Sequence, residues 1–185
     1  MIIAIDGPTA SGKGTVAAGV ARHYGLKRLD TGALYRAVGL AVIDAGGDPS
    51  DEAAAVAAAK ALDLSAIDEA RIRSSAAGLA ASKVASQPAV RAALLTAQRA
   101  FAADPAGAVL DGRDIGTVIC PNADVKLFVT ADLPVRTQRR LNELRSRGEQ
   151  ISFEELQAQI AERDRRDTDR AEAPLRQADG AYLLD

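Results

Sequence analysis

Gly7-Pro8-Thr9-Ala10-Ser11-Gly12-Lys13-Gly14-Thr15 stands between the apolar run Ile2-Ile3-Ala4-Ile5 and a segment, Lys13 to Tyr24, that reads as a helix stopped by Gly25. A buried strand, a glycine-rich turn ending in Lys, and a helix are together the setting of a P-loop. Glycines let the backbone curl tightly, so that successive N–H groups converge on a phosphate. The helix N-terminus adds a partial positive charge, and Lys13 adds a full one for the β- and γ-phosphates. Gly14 occupies the place where the strict pattern has Ser or Thr, and the hydroxyl follows one position later, at Thr15.

Outward from this turn, short apolar runs alternate with helical stretches. Leu26–Asp30, Ala108–Leu110, Asp124–Thr130 and Ala181–Leu184 read as strands. Thr31–Ala45 reads as a helix capped by Thr31 and stopped by Gly46-Gly47, and Asp48-Pro49 opens the next one, to about Ala61. Residues 62–75 lack clean periodicity. Further helices are expected at 76–85, from Pro88 to about Ala103, from Asp132-Leu133-Pro134 to about Arg147, and from the capping box Ser152-Phe153-Glu154-Glu155. This alternation predicts an α/β fold: a parallel five-stranded sheet covered by helices on both faces.

Composition narrows the function. The chain has 185 residues, 48% of them hydrophobic and 26% charged, which suits one compact globular domain and excludes a disordered chain. A net charge of -2 argues against a protein built to hold a nucleic-acid backbone. One cysteine and one histidine make neither an internal disulfide nor an ordinary structural zinc site. No apolar run is long enough to span a membrane, and the N-terminus lacks a basic n-region, so a cytoplasmic protein without a membrane or nucleic-acid partner is expected. Alanine supplies 40 residues, which favours helices with small packing side chains.

Three further segments carry charge at the strand ends or on helix faces. Asp30-Thr31-Gly32-Ala33-Leu34-Tyr35-Arg36 lies at the carboxyl end of the second strand, where doubly wound sheets bind ligands. Thr31 there can cap a helix or touch a nucleotide, and Arg36 can face a phosphate. Asp111-Gly112-Arg113-Asp114 follows an apolar strand, which makes Asp111 a candidate for holding Mg²⁺ or its water, together with Thr15. Arg113 and Asp114 can offer a cation to a phosphate and an acceptor to a base. Arg163, Asp167 and Arg170 fall at i, i+4 and i+7 on one helix face, and Arg136, Arg139 and Arg140 share a face of the helix before it. Two arginine-rich helices around a glycine turn read as a lid over phosphates or as a salt-bridged solvated surface; Arg rather than Lys favours the lid, because its fork matches phosphate.

Taken together, these segments resemble the bacterial cytidylate kinases, the (d)CMP kinases of the nucleoside monophosphate kinase family of P-loop kinases. The matching stretches are IDGPTASGKGT, LDTGALYRA, ASKVASQPAVR, LDGRDIGTVICPNADVKLFVTA and ERDRRDTDRAEAPL, which run from Ile5 in the first strand to Leu175, shortly before the last. The resemblance implies transfer of the ATP γ-phosphoryl to CMP or dCMP, with Mg²⁺, in pyrimidine nucleotide metabolism. It implies that Gly7 to Thr15, with Arg136, Arg139 and Arg140, bind ATP. Thr31, Tyr35, Arg36, Ser82, Arg91, Arg113, Asp114, Arg163, Asp167 and Arg170 would bind CMP. Lys13, Asp111, Arg113, Arg163 and Arg170 would carry catalysis, by positioning and charge neutralisation. A monomer is implied, with a core at 1–61, 106–131 and 176–185, an NMP-binding region at 62–105 and a lid at 132–175.

The chain departs from the family in two places. Larger members insert a small sheet that would fall between Leu64 and Arg73, where only about nine residues remain. Ile72-Arg73-Ser74 would then be the far edge of a shortened insert. The family also continues past the last strand into a helix, whereas this sequence stops at Asp185. Another acceptor (UMP, AMP or a small alcohol) and a nucleotide-binding module with weakened catalysis are the competing expectations. His23 reads as a helix-end or surface residue and Cys120 as a packing residue.

Overall fold

The computed structural model describes residues 1–63 and 66–185. Leu64, one edge of the expected insert, and Ser65 lie outside the described residues. The chain divides into two compact units, one comprising 1–29 and 100–185 and the other 30–99.

The first unit is organised by a five-stranded sheet. Its strands are β1 (Ile2–Asp6), β2 (Lys27–Asp30), β3 (Ala108–Gly112), β4 (Val125–Val129) and β5 (Tyr182–Leu184), in the order β2-β3-β1-β4-β5. The β1–β3, β1–β4 and β4–β5 registers are all parallel, with Ile5 opposite both Asp111 and Leu127. The α/β class read from the sequence is therefore the fold adopted, with helices on both sides of the sheet. β1 and β3 are buried almost throughout because they hold the centre. β5, an apolar run in the sequence, is the edge strand and is exposed along its length.

Helix α1 (Lys13–Tyr24) packs Ala17 and Ala21 on Ile3, Ile5, Val109 and Val129. Gly25, at φ +65°, closes it through its N–H to the Ala21 and Arg22 carbonyls, as its sequence position predicts. Helices α6 (Leu133–Ser146) and α7 (Phe153–Asp169) form a hairpin about Leu141, Leu144, Leu156 and Ile160. Each such buried aliphatic contributes roughly 1.5–3 kcal/mol. Ser152 caps α7 by accepting from the Glu155 N–H at 3.1 Å, and Phe153 packs against the hairpin core.

The second unit holds α2 (Thr31–Asp44), α3 (Glu52–Lys60), a short 3₁₀ turn at Arg71–Arg73, α4 (Ser75–Val84) and most of α5 (Pro88–Ala102). Within it, α2 lies closely along α4. A Cβ on Gly39 would sit 2.6 Å from the Ala80 Cβ, a separation that only glycine permits. The alanine richness thus serves close helix packing. Two expected caps differ. Asp30, not Thr31, caps α2 by accepting from the Ala33 N–H, because its carboxylate reaches a donor three residues on, while Thr31 is already helical and buried. Asp51, not Asp48, caps α3, and Asp48 instead accepts from the Ser50 N–H in a preceding turn. In the segment read as the insert's far edge, Ile72 is buried and Ser74 caps α4, and just before it Arg71 pairs with Asp44 through its two terminal guanidinium nitrogens.

Candidate active site

The turn between β1 and α1 takes a conformation that its residue types explain. Gly7 has φ +156° and Gly12 φ +97°, and a Cβ on Gly7 would lie 2.0 Å from the Val129 carbonyl oxygen. Ala10 is held at φ +60°, a region that alanine rarely enters. Cations surround the carbonyl side of the turn. Lys13 Nζ donates to the Pro8 oxygen at 3.2 Å, Arg136 Nη1 to the Thr9 oxygen at 3.0 Å, and Arg139 Nη1 to the Ser11 oxygen at 3.2 Å. Arg140, expected beside ATP, pairs with Glu143 on its own helix at 2.7 Å.

Both arginine helices reach Thr9. The Thr9 N–H donates to Asp164 Oδ1 at 3.1 Å, and Asp164 Oδ2 accepts from Arg136. Arg113, on the loop after β3, donates Nη2 to Thr9 Oγ1 and Nε to Asp167 Oδ2, both at 2.9 Å. Burial alone would push the Asp167 carboxyl up. The guanidiniums of Arg113, Arg163 and Arg170 outweigh it and hold the group below the usual carboxylate value. The structure therefore gathers Thr9, Arg113, Arg136, Arg163, Asp167 and Arg170 within one unit.

Two buried acids lie near the ends of β1 and β3, and one of them, Asp6, holds the loop after β3. Asp111 accepts a forked pair from Arg28, Nε to Oδ1 at 2.8 Å and Nη2 to Oδ2 at 3.3 Å. Asp6, the last residue of β1, accepts the N–H groups of Ile115 and Gly116 at 2.8 Å each, where the chain makes a single π-helical turn over Ile115–Ile119. Burial raises the Asp6 carboxyl to about 6, the two N–H donors and Lys13 oppose this, and the nearby Asp114 adds to it. Asp114 is itself buried, one residue before that turn.

In the second unit, Arg36 donates to Asp30 at 2.6 Å, and Thr31 and Tyr35 are buried on the same helix. The Arg91 guanidinium lies 6.0 Å from the Tyr35 ring centroid, within cation–π reach. Ser82 Oγ and Arg36 Nε are buried without a hydrogen-bond partner among the described residues, the condition of groups that await a polar ligand. Thr31, Tyr35, Arg36, Ser82 and Arg91 thus belong to this unit, and the other residues assigned to CMP belong to the first.

The donor set suits only a metal that keeps its waters. No group of three or more His, Cys, Asp or Glu side chains that could hold a metal ion occurs among the described residues. Both Asp111 oxygens face a guanidinium, and Thr15 is exposed. A Cβ on Gly14 would lie 3.2 Å from Arg28 Nη2 and 3.8 Å from Asp111 Oδ2, so this glycine faces the Arg28–Asp111 pair. Mg²⁺ carried by nucleotide phosphates, with several bound waters, fits such a set.

The cytidylate kinase family model matches residues 3–185. The chain belongs to the cytidylate kinase family. Within that family it is 62% identical over 181 residues to the cytidylate kinase of Methylobacterium sp. (strain 4-46), an overlap covering 98% of this chain and 86% of that one. It is 58% identical to the cytidylate kinase of Rhodopseudomonas palustris (strain BisA53) and 59% to that of Xanthobacter autotrophicus, over all of this chain and 88% of each relative. Membership in the cytidylate kinase family bears out the enzyme class and the fold read from the sequence. No helix among the described residues is long and apolar enough to cross a membrane.

Sequence reasoning missed Asp6, Arg28 and Asp164. Asp6 had a signal, a carboxylate ending a buried strand directly before Gly7. Arg28 and Asp164 had none, since a charged residue in a strand or an arginine-rich helix reads equally well as solvated.

Proposed function

We propose that this cytidylate kinase family member transfers the γ-phosphoryl of ATP to CMP or dCMP, yielding ADP and CDP or dCDP. A phosphate oxygen of the acceptor forms the new P–O bond as the bond from the γ-phosphorus to the β–γ bridging oxygen breaks. The observation that carries this reading is the glycine-shaped turn Gly7–Thr15 with Lys13, Arg136 and Arg139 of α6 and Arg113 of the loop after β3 gathered on it. The backbone N–H groups of the turn and Lys13 would bind the ATP phosphates. Arg113, Arg163 and Arg170 would neutralise charge on the transferring group and the acceptor phosphate. Within the second unit, Thr31, Tyr35, Arg36, Ser82 and Arg91 would contact CMP; within the first, Asp114 would.

Little covalent chemistry is required of the protein: positioning, charge neutralisation and exclusion of water carry the rate. Mg²⁺ bound by the phosphates supplies further neutralisation, and Asp111 and Thr15 would touch only its water shell. The protein would act as a cytoplasmic monomer in pyrimidine nucleotide metabolism.

A coupled assay of ADP release with ATP and Mg²⁺ tests the reading, comparing CMP, dCMP, UMP, AMP and no acceptor. Turnover with CMP well above the rate without acceptor is expected. Equal rates with and without CMP overturn it, and higher turnover with UMP or AMP reassigns the acceptor.

A further inference from the structure

Thr9 makes hydrogen bonds through all three of its polar groups to three different parts of the first unit. Its N–H reaches Asp164 of α7, its carbonyl reaches Arg136 of α6, and its hydroxyl reaches Arg113 after β3. The next residue, Ala10, has φ +60°. An alanine stays in that sparsely populated region only when its surroundings over-determine the backbone. The bonds on Thr9 are one local constraint on that backbone, beside those of Lys13 to Pro8 and Arg139 to Ser11.

We infer that Asp164 is a positioning residue that holds the turn Gly7–Thr15 in its phosphate-binding shape through the N–H of Thr9. The inference rests on the proposed ATP site but assigns a residue that site does not contain. A carboxylate beside a phosphate site would ordinarily repel the anion. Here Asp164 faces Arg136, which also bonds the Ala131 and Thr9 carbonyls. The side chains of this pair are only 9% and 18% exposed, for Arg136 and Asp164 respectively. The paired charges nearly cancel, so the contribution of Asp164 is geometric. Asp164 lies three residues before Asp167, which holds Arg113 from the same helix face. Seating α7 therefore orders the turn from two sides at once.

The test is equilibrium ATP binding, read by displacement of a fluorescent ATP analogue, for the wild-type chain, Asp164→Asn and Asp164→Asn combined with Ala10→Gly. Asp164→Asn is expected to weaken ATP about tenfold, which is ~1.4 kcal/mol. Adding Ala10→Gly is expected to recover at least threefold of that, because glycine adopts φ +60° without the steric penalty. A merely structural role for Asp164 in seating α7 would give the loss without the recovery, so either no loss or no recovery overturns the proposal. If Asp164→Asn melts below the assay temperature, Asp164→Glu carries the same test. Its displaced carboxylate should weaken ATP about threefold, again with recovery by Ala10→Gly, and failure of either part overturns the proposal. A wild-type chain that binds no ATP would overturn the functional reading itself, which separates the two failures.

Discussion

Arg28 and Asp111 form a forked ion pair, Nε to Oδ1 at 2.8 Å and Nη2 to Oδ2 at 3.3 Å, with the acid side chain 3% exposed and the arginine 30%. Breaking a buried pair from one side leaves a desolvated charge behind, which costs more than the pair contributes. Arg28→Leu is therefore expected to destabilise the fold by about 2–3 kcal/mol, somewhat under the fully buried figure because the arginine is part-exposed. Arg28→Leu combined with Asp111→Asn should cost less than the two single changes added together. Urea unfolding of the four proteins measures the coupling, and additive effects would refute it.

Lys13 has its ammonium on the Pro8 carbonyl, at the head of α1. Lys13→Met keeps the aliphatic stem and removes the charge. Turnover with CMP should fall by roughly two to three orders of magnitude, as for other fixed charges aimed at a transferring group, while the melting temperature stays within a few degrees. A loss below tenfold would remove Lys13 from the catalytic set.

Asp6 gives the stability a pH dependence whose sign is fixed. Its carboxyl is raised to about 6 from 3.8, chiefly by burial, so the folded chain keeps a proton that the unfolded chain releases. The stabilisation is full below pH 3.8 and is lost as pH rises through 6, an effect of roughly 3 kcal/mol at most. The lowered Asp167 works the other way, but its contribution is lost only as pH falls below the ordinary carboxylate range. Between pH 4 and 6.5 the Asp6 term should dominate the difference between the wild type and Asp6→Asn. Urea midpoints across that interval should fall more steeply with rising pH in the wild type; parallel profiles would show that Asp6 does not titrate there.

Gly39 faces Ala80 across the α2–α4 packing, where an added Cβ would lie 2.6 Å from its neighbour. Gly39→Ala forces the two helices apart and is expected to cost about 1–3 kcal/mol. Because Tyr35 and Ser82 ride on these helices, the KM for CMP should rise severalfold with the KM for ATP little changed. An unshifted thermal midpoint would show that the helices absorb the methyl freely.

The resemblance read from the sequence implies that the sheet inserted in larger family members is shortened here, between Leu64 and Arg73. Looser CMP binding or altered discrimination at the ribose is the expected consequence. Initial rates over a range of CMP and dCMP concentrations decide it: equal catalytic efficiency for both, at ordinary KM, would count against any effect of the short segment.

The sheet, the P-loop and the two arginine helices were legible because each is signalled locally. A strand running into Gly7-Pro8, a capping box at Ser152 and a stop at Gly25 are patterns within a few residues, and they hold in the structure. The caps at Asp30 and Asp51 were misplaced because neighbouring residues, Thr31 and Asp48, have side chains that can do the same job. The exposure of β5 could not be read from Tyr182-Leu183-Leu184, because an apolar run has the same pattern at a sheet centre and at its edge.

By itself, the sequence determined the α/β class, the phosphate-binding turn and the residue types brought to it, since these follow from periodicity, glycine spacing and charge along the chain. Only the tertiary structure decided which charges meet. Arg28 finds Asp111 across 83 residues, Ile115 finds Asp6 across 109, and Thr9 finds Asp164 across 155. Such pairings depend on which strand ends and helix faces the sheet order brings side by side, and that order is set by burial of the whole core rather than by any local signal.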